Sequence, residues 1–243
     1  MIRKAIVTGA DTSHALSLER LCNQCTELLP DYKLYVFDLG LTEDDLKLIN
    51  PSATVIDYPY SSMPDFHNIK IKAGEYAWKP ICVKEIEKMS DFLFWIDAGC
   101  LLKNNLEKEI KHVEEHGFYT SSTRGTLEEY TDPRTLDLMY VTDDLRKSHT
   151  MRACSFLGFD LTKVRIRKLV IDWSALAMNK DIFAPVGSSK HPVVKGDTNP
   201  QFNHRQDQSV FNALLALGNL TAIGQRWGWV LQQDIDHRPR NIK

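Results

Sequence analysis

The sequence predicts an α/β protein, built on a central, mostly parallel sheet flanked by helices. Two observations carry that expectation. Strand-like and helix-like stretches alternate through the first 56 residues, the pattern of βαβ units whose strands lie parallel. Further on, Phe92–Ile96 is an unbroken apolar run, and a run without alternation reads as a strand buried on both faces. It stops at Asp97, with the small residues Ala98 and Gly99 following. In open α/β sheets the carboxyl edge of the strands is where ligands bind.

Taken in order, Lys4–Thr8 reads as the first strand, ending at Gly9 and Ala10. Asp11, Thr12 and Ser13 are capping residues for a helix over 14–29, stopped by Pro30. Lys33–Asp38 is a second strand that again ends in an acid, and Thr42 with three acidic residues opens a short helix. Ala53–Ile56 is a third strand, and Asp57–Tyr76 is irregular. Pro80 suits the first turn of a helix running to Met89. Asn104–His116 is a helix stopped by Gly117, and Phe118–Ser121 a short strand. Ser122–Thr150 has few apolar repeats and many charges and hydroxyls, so it is expected to be a mobile lid rather than core. A strand over 153–159, a helix over 162–179, a polar loop over 182–202, a helix over 207–217 and a strand over 220–223 complete the pattern.

Composition narrows the classes. The 243 residues are 43% hydrophobic and 26% charged, ordinary for a globular protein. A net charge of −2 argues against a nucleic-acid binder. The N-terminus, MIRKAIVTG, lacks the apolar core of a signal peptide, and no stretch approaches the ~18 uncharged residues of an integral membrane segment. Five scattered cysteines suit reduced thiols, so the expected compartment is cytoplasmic. Cys22 and Cys25 form a C-x-x-C, but in mid-helix on an apolar face, where core packing explains them. The sequence has no Gly-rich dinucleotide loop, no P-loop lysine motif and no G-x-S-x-G elbow. His112 and His116 are spaced one turn apart near a helix C-terminus, where they favour the helix dipole.

Three features converge on chemistry. Asp97 closes the buried strand. Lys79 lies near the start of the preceding helix, where a cation and a helix N-terminus both suit phosphate. His204, Arg205, Gln206, Asp207 and Gln208 crowd the mouth of an apolar helix; Asp207 there is either a helix cap or part of a substrate cradle.

In this order the features resemble the GT-A-fold glycosyltransferases, the nucleotide-diphospho-sugar transferase superfamily. The first strand would end at a nucleotide-binding turn, here Thr8, Gly9 and Ala10. Lys79 in YAWKP holds the place of the basic residue before the metal strand, and WIDAG that of the Asp-x-Asp motif. Asp207-Gln208 with Asn212 resembles the D-Q-x-x-x-N pattern of glycogenin-like enzymes. The match runs from residue 4 to about 218.

The resemblance implies a single GT-A-like domain with a nucleotide-binding half over 1–103 and an acceptor-binding half over 104–243. It implies transfer of a sugar from a nucleoside diphosphate sugar to the hydroxyl of a glycan or other acceptor. Thr8, Gly9, Ala10, Asp38, Lys79, Asp97, Ala98, Gly99 and Arg205 would hold the nucleotide sugar, and Asp207 and Gln208 would be catalytic. Asp207 would serve as a base in an inverting reaction, or steady an oxocarbenium-like centre in a retaining one. Mn²⁺ or Mg²⁺ would be the cofactor. Gly99 replaces the second acid of the motif, so Asp97 needs a distant partner, with His237 expected and Asp234 and Asp236 as rivals. His204, Trp227 and Trp229 are candidates for acceptor binding. The alternatives are a nucleotidyltransferase on a similar sheet, and a non-catalytic nucleotide- or glycan-binding protein.

Overall fold

The computed structural model describes residues 2–188, 203–221 and 223–232. Its centre is a six-stranded sheet. β1 (Lys4–Ala10) pairs in parallel with β2 (Lys33–Asp38) on one side and with β4 (Phe92–Ile96) on the other. β3 (Thr54–Asp57) extends the parallel part beyond β2. β9 (Phe156–Asp160) lies antiparallel to β4, and β6 (Phe118–Tyr119) antiparallel to β9. The order is therefore β3-β2-β1-β4-β9-β6. Strands grow outward from β1 in one direction and then, with β4, in the other. The carboxyl ends of β1 and β4 thus flank a topological switch point, the crevice where such sheets take ligands.

Alternate residues of the central strands serve two cores. Ala5, Val7, Tyr35, Phe37, Leu93 and Trp95 belong to the core with α3 (Trp78–Glu87), α7 (Val164–Leu176), the short α8 (Lys180–Phe183) and α9 (Gln206–Leu217). Ile6, Val36, Phe94 and Ile96 belong to the core with α1 (Ala15–Leu28) and α4 (Glu107–His116). All five residues of β4 are buried, which is why its sequence shows no alternation. The carboxyl end of β4 continues into β5 (Cys100–Leu102), which pairs antiparallel with β10 (Trp229–Leu231).

Local signals explain most boundaries. The Asp11 side chain accepts from the Ser13 amide, capping a short 3-10 turn that leads into α1. Thr42 and Asp45 form a reciprocal capping box on α2 (Glu43–Leu46). Gly117, at φ +90°, ends α4 in the left-handed conformation that glycine adopts without cost.

Two expectations are corrected. First, Ser122–Thr150, expected to be a mobile lid rather than core, contributes buried side chains to the core. It holds β7 (Ser122–Thr126), α5 (Pro133–Leu138) and α6 (Asp143–Ser148), and β7 pairs with β8 (Thr150–Arg152). Leu127, Leu136, Met139 and Val141 are buried there, and so are the polar Thr131, Asp132 and Thr135. Second, the described residues of 220–223 form no strand, and the terminal strand is β10 instead. The segment before α3 is irregular, and it contains Lys72, Ala73, Gly74, Glu75 and Tyr76, all with positive φ. Of the polar loop expected over 182–202, positions 189–202 lie outside the described residues. Among the described residues, no helix is long and apolar enough to cross a membrane.

Candidate active site

Lys79, Asp97 and Asp207 meet, although 128 positions separate the first from the last. Lys79 is in the first turn of α3, Asp97 follows β4 and Asp207 is in the first turn of α9. The Lys79 Nζ lies 3.0 Å from Asp97 Oδ1 and 2.9 Å from Asp207 Oδ2, and donates to the Cys154 carbonyl at 3.2 Å. Trp95, two residues before Asp97 in the chain, donates its indole N–H to Asp97 Oδ1 at 2.6 Å. The rings of Trp95 and Tyr76 lie 5.7 and 6.0 Å from the ammonium, close enough for cation–π attraction.

Exposure differs sharply within the triad. The Lys79 and Asp207 side chains are 5% and 8% exposed, whereas Asp97 is 30% exposed. Asp97 is therefore the face the triad offers to a ligand. Burial acts to lower the Lys79 pKa, but the two carboxylates outweigh it and the ammonium is held above its usual value. Burial pushes Asp207 up, and Lys79 pulls it only part of the way back.

The first turn of α9 is fixed by further contacts. Gln206, itself at φ +40°, donates to the buried Glu75 carboxylate at 3.0 Å. The Trp173 indole donates to the Asp207 carbonyl at 3.2 Å. Asn212 donates to the carbonyls of Arg152 and Gln208 and accepts from the Arg152 amide. Glu75 carries no sequence signal, because it lies in the irregular segment. Trp95 and Asn212 are visible in the sequence only as a strand residue and a motif position.

Beside the triad, the β1 turn is tightly built. Thr8 is fully buried, and its hydroxyl has no hydrogen-bond partner among the described residues. A side chain at Gly9 would press on the Phe37 carbonyl at 3.3 Å, so glycine lets β1 and β2 pack. Ala10 is buried, and its carbonyl accepts from the Leu39 amide. The Asp38 Oδ1 accepts from the Gly40 and Leu41 amides, both at 2.7 Å, and so is engaged in its own turn. Ala98 is buried beside Asp97. Gly99 is covered by the chain at the end of β10: its carbonyl accepts from the Gln232 amide at 2.8 Å, and a Cβ there would meet the Gln232 carbonyl oxygen at 3.2 Å.

Two expected acceptor residues are instead interior. His204 is 1% exposed; its Nε2 donates to the Phe183 carbonyl and its Nδ1 accepts from the Asp132 amide. Trp229 is 1% exposed, stacks on Phe156 and donates to the Tyr119 hydroxyl. Burial on all sides removes both from an acceptor surface. Trp227 is half-buried and packs near His112 and Tyr119 on the α4 side of the sheet, away from the triad. Arg205 is half-buried, with its guanidinium 4.2 Å over the Tyr130 ring.

The expected metal requires several oxygen or nitrogen ligands. Among the described residues, no group of three acidic, His or Cys side chains could hold a cation. Asp97 offers a single carboxylate whose Oδ1 already takes Lys79 and Trp95. The described donors therefore do not fit a metal by themselves. His237, Asp234 and Asp236 lie outside the described residues.

No protein-family model matches the chain, and no curated protein matches it. Solved structures do resemble it at a distance. A galactosyltransferase, LgtC, in complex with donor and acceptor sugar analogues shares 16% identity over 90% of this chain and 72% of that one, with a TM-score of 0.48. An active-site mutant of LgtC gives 15% identity, 90% and 71% coverage and a TM-score of 0.49. The bifunctional glycosyltransferase WbbM, in its apo form, shares 10% identity over 75% of this chain and 37% of that one, with a TM-score of 0.44. These likenesses are too distant to carry an argument about activity, which rests on the Lys79–Asp97–Asp207 site.

Proposed function

We propose that this chain is a glycosyltransferase that moves a sugar from a nucleoside diphosphate sugar to a hydroxyl acceptor. The observation that supports it best is the Lys79 ammonium bridging Asp97 and Asp207 at the carboxyl edge of β4, beside the switch point. A sugar ring presents adjacent hydroxyls that each donate and accept. Paired carboxylates with an ammonium between them offer both kinds of partner in one fixed group. The part-exposed Asp97 accepts from a sugar hydroxyl, and the β1 turn at Thr8, Gly9 and Ala10 faces the nucleotide across the crevice.

In the reaction the bond from the anomeric carbon to the diphosphate oxygen breaks, and a bond to the acceptor oxygen forms. Positive charge grows at the sugar and negative charge on the departing diphosphate. A buried carboxylate such as Asp207 stabilises the first, and fixed cationic side chains stabilise the second. Burial also raises the affinity of Asp207 for a proton, which suits it to take the acceptor proton in an inverting reaction, whereas in a retaining one it steadies the charge at the sugar. The described ligands give no basis for routing a step through a metal.

A thermal-shift screen of nucleoside diphosphate sugars tests the reading, since a ligand of the folded state raises its melting temperature by mass action. One donor should stabilise the wild type. Asp97→Asn should weaken that binding about tenfold or more, the loss of one charge-assisted hydrogen bond. Absence of stabilisation by every donor, or an unchanged response in Asp97→Asn, would rule the proposal out.

A further inference from the structure

On the side of α9 away from the triad, the chain keeps two arginines that no acid neutralises. Arg152, on β8, is 8% exposed, and Arg205 is half-buried. Among the described residues, neither makes an ion pair, and the Nε of each has no hydrogen-bond partner. The Arg152 guanidinium otherwise reaches only the Met151 carbonyl, at 3.4 Å. Burial lowers the pKa of both, and no carboxylate raises either. A guanidinium nevertheless stays charged at neutral pH, and burying a charge without a counter-charge costs on the order of several kcal/mol. For Arg152 nothing in the described packing offsets this, and for Arg205 the Tyr130 ring offsets only a part, so the arrangement does not serve stability.

The two arginines belong to one place. Arg205, Gln208 and Asn212 follow at the spacing of one helix face. Asn212 joins the backbone of Arg152 to the carbonyl of Gln208. Arg205 stacks on Tyr130, whose ring lies where any side chain at Gly125 would collide with it. Gly125 is in β7, the partner strand of β8. A third donor waits there, because the buried Gln208 Nε2 also lacks a partner among the described residues. Asp207, the neighbouring residue, is instead tied to Lys79. The donors without partners thus lie on the hairpin side of α9, and the triad on the other.

We propose that Arg152, Arg205 and Gln208 form an anion-binding subsite for a phosphate or carboxylate group of a substrate held beside the transfer centre. Planar guanidinium groups bind such oxyanions in a bidentate way. The subsite rests on the glycosyl-transfer reading only for the origin of the anion, which is either the diphosphate of the donor or an acidic group on the acceptor.

Calorimetric titration of the full chain with inorganic phosphate and pyrophosphate, at low salt, tests it. The wild type should bind, and Arg152→Met and Arg205→Met should each weaken binding about ten- to a hundredfold, as the loss of charged hydrogen bonds predicts. In phosphate-free buffer Arg152→Met should melt no lower than the wild type, because it deletes an uncompensated charge; an arginine serving structure would give the opposite. Where Arg152→Met fails to fold, the half-buried Arg205→Met decides. Displacement of phosphate by a nucleoside diphosphate assigns the subsite to the donor, and simultaneous binding assigns it to the acceptor.

No binding of either anion to the wild type, or unchanged binding in the variants, overturns the subsite. Failure of phosphate binding with Asp97-dependent donor binding intact removes the subsite alone. Phosphate binding without donor binding removes the glycosyl-transfer reading alone.

Discussion

Lys79 is the side chain on which its neighbours depend most. It is nearly fully buried, and two carboxylates reach it from separate elements. Removing one partner of a buried pair leaves the other charge stranded, at a cost of about 3–5 kcal/mol. Lys79→Met should therefore destabilise the chain by about that amount. The double variant Lys79→Met/Asp207→Leu should recover most of it, because the stranded charge is gone. Urea unfolding of the two single variants and the double measures the coupling. Additive losses would mean that the pair does not share one environment. The three residues are each visible in the sequence, Asp97 by its abrupt place after an apolar run and Asp207 by its place at a helix mouth. Their meeting is not, since nothing local encodes contact between residues 79 and 207. His204 and Trp229 fail as acceptor candidates for a related reason: a polar or aromatic residue in a rich local cluster gives no sign of which way it faces.

At the scale of elements, the strands are legible because continuous apolar runs leave little choice of structure. The five left-handed residues at 72–76 are not, because Lys, Ala, Glu and Tyr ordinarily avoid positive φ. Tertiary contacts hold them there: the Trp78 indole donates to the Ala73 carbonyl, and Glu75 is bonded to Gln206. This run sets the entry angle of α3, and so the position of Lys79. Gly74 is its tightest point, with φ +62° and no room for a Cβ beside the His67 carbonyl. Gly74→Ala should cost about 1–3 kcal/mol through strain and displacement. It should also weaken donor binding, because both Lys79 and the start of α9 lean on the run. Comparing its melting temperature and donor affinity with those of the exposed control Gly187→Ala checks this, and equal affinity in the two would separate the run from the site. The structure of the 122–150 segment escapes the sequence because several of its buried positions, Thr131, Asp132 and Thr135, are polar, so an apolar pattern does not reveal the buried face.

Over the whole molecule, buried histidines set an acid limit. His67 is fully buried, donates from Nε2 to the Ala177 carbonyl and accepts at Nδ1 from the Tyr58 hydroxyl. His204 is held in the same neutral state. Burial lowers both below the ordinary 6.5. Below that pH the unfolded chain takes up protons that the folded chain refuses. Stability is therefore full above about pH 6.5 and falls with acidification until the lowered folded values are reached. Each group contributes up to about 1.4 kcal/mol per pH unit. Denaturant unfolding at pH values of about 7.5, 6 and 5 should show the decline, and a flat profile would exclude it.

The pairing of β5 with β10 also bears on how this sequence could change. A Cβ at Gly99 would meet the Gln232 carbonyl oxygen at 3.2 Å, tighter than ordinary contact. Any side chain introduced there would make that carbonyl give way by a few tenths of an ångström. Such a substitution tests how far the end of β10 can yield, so position 99 is not neutral ground. The glycine is constrained from outside: the strand packed over it, and not only the chemistry beside Asp97, limits what position 99 can carry.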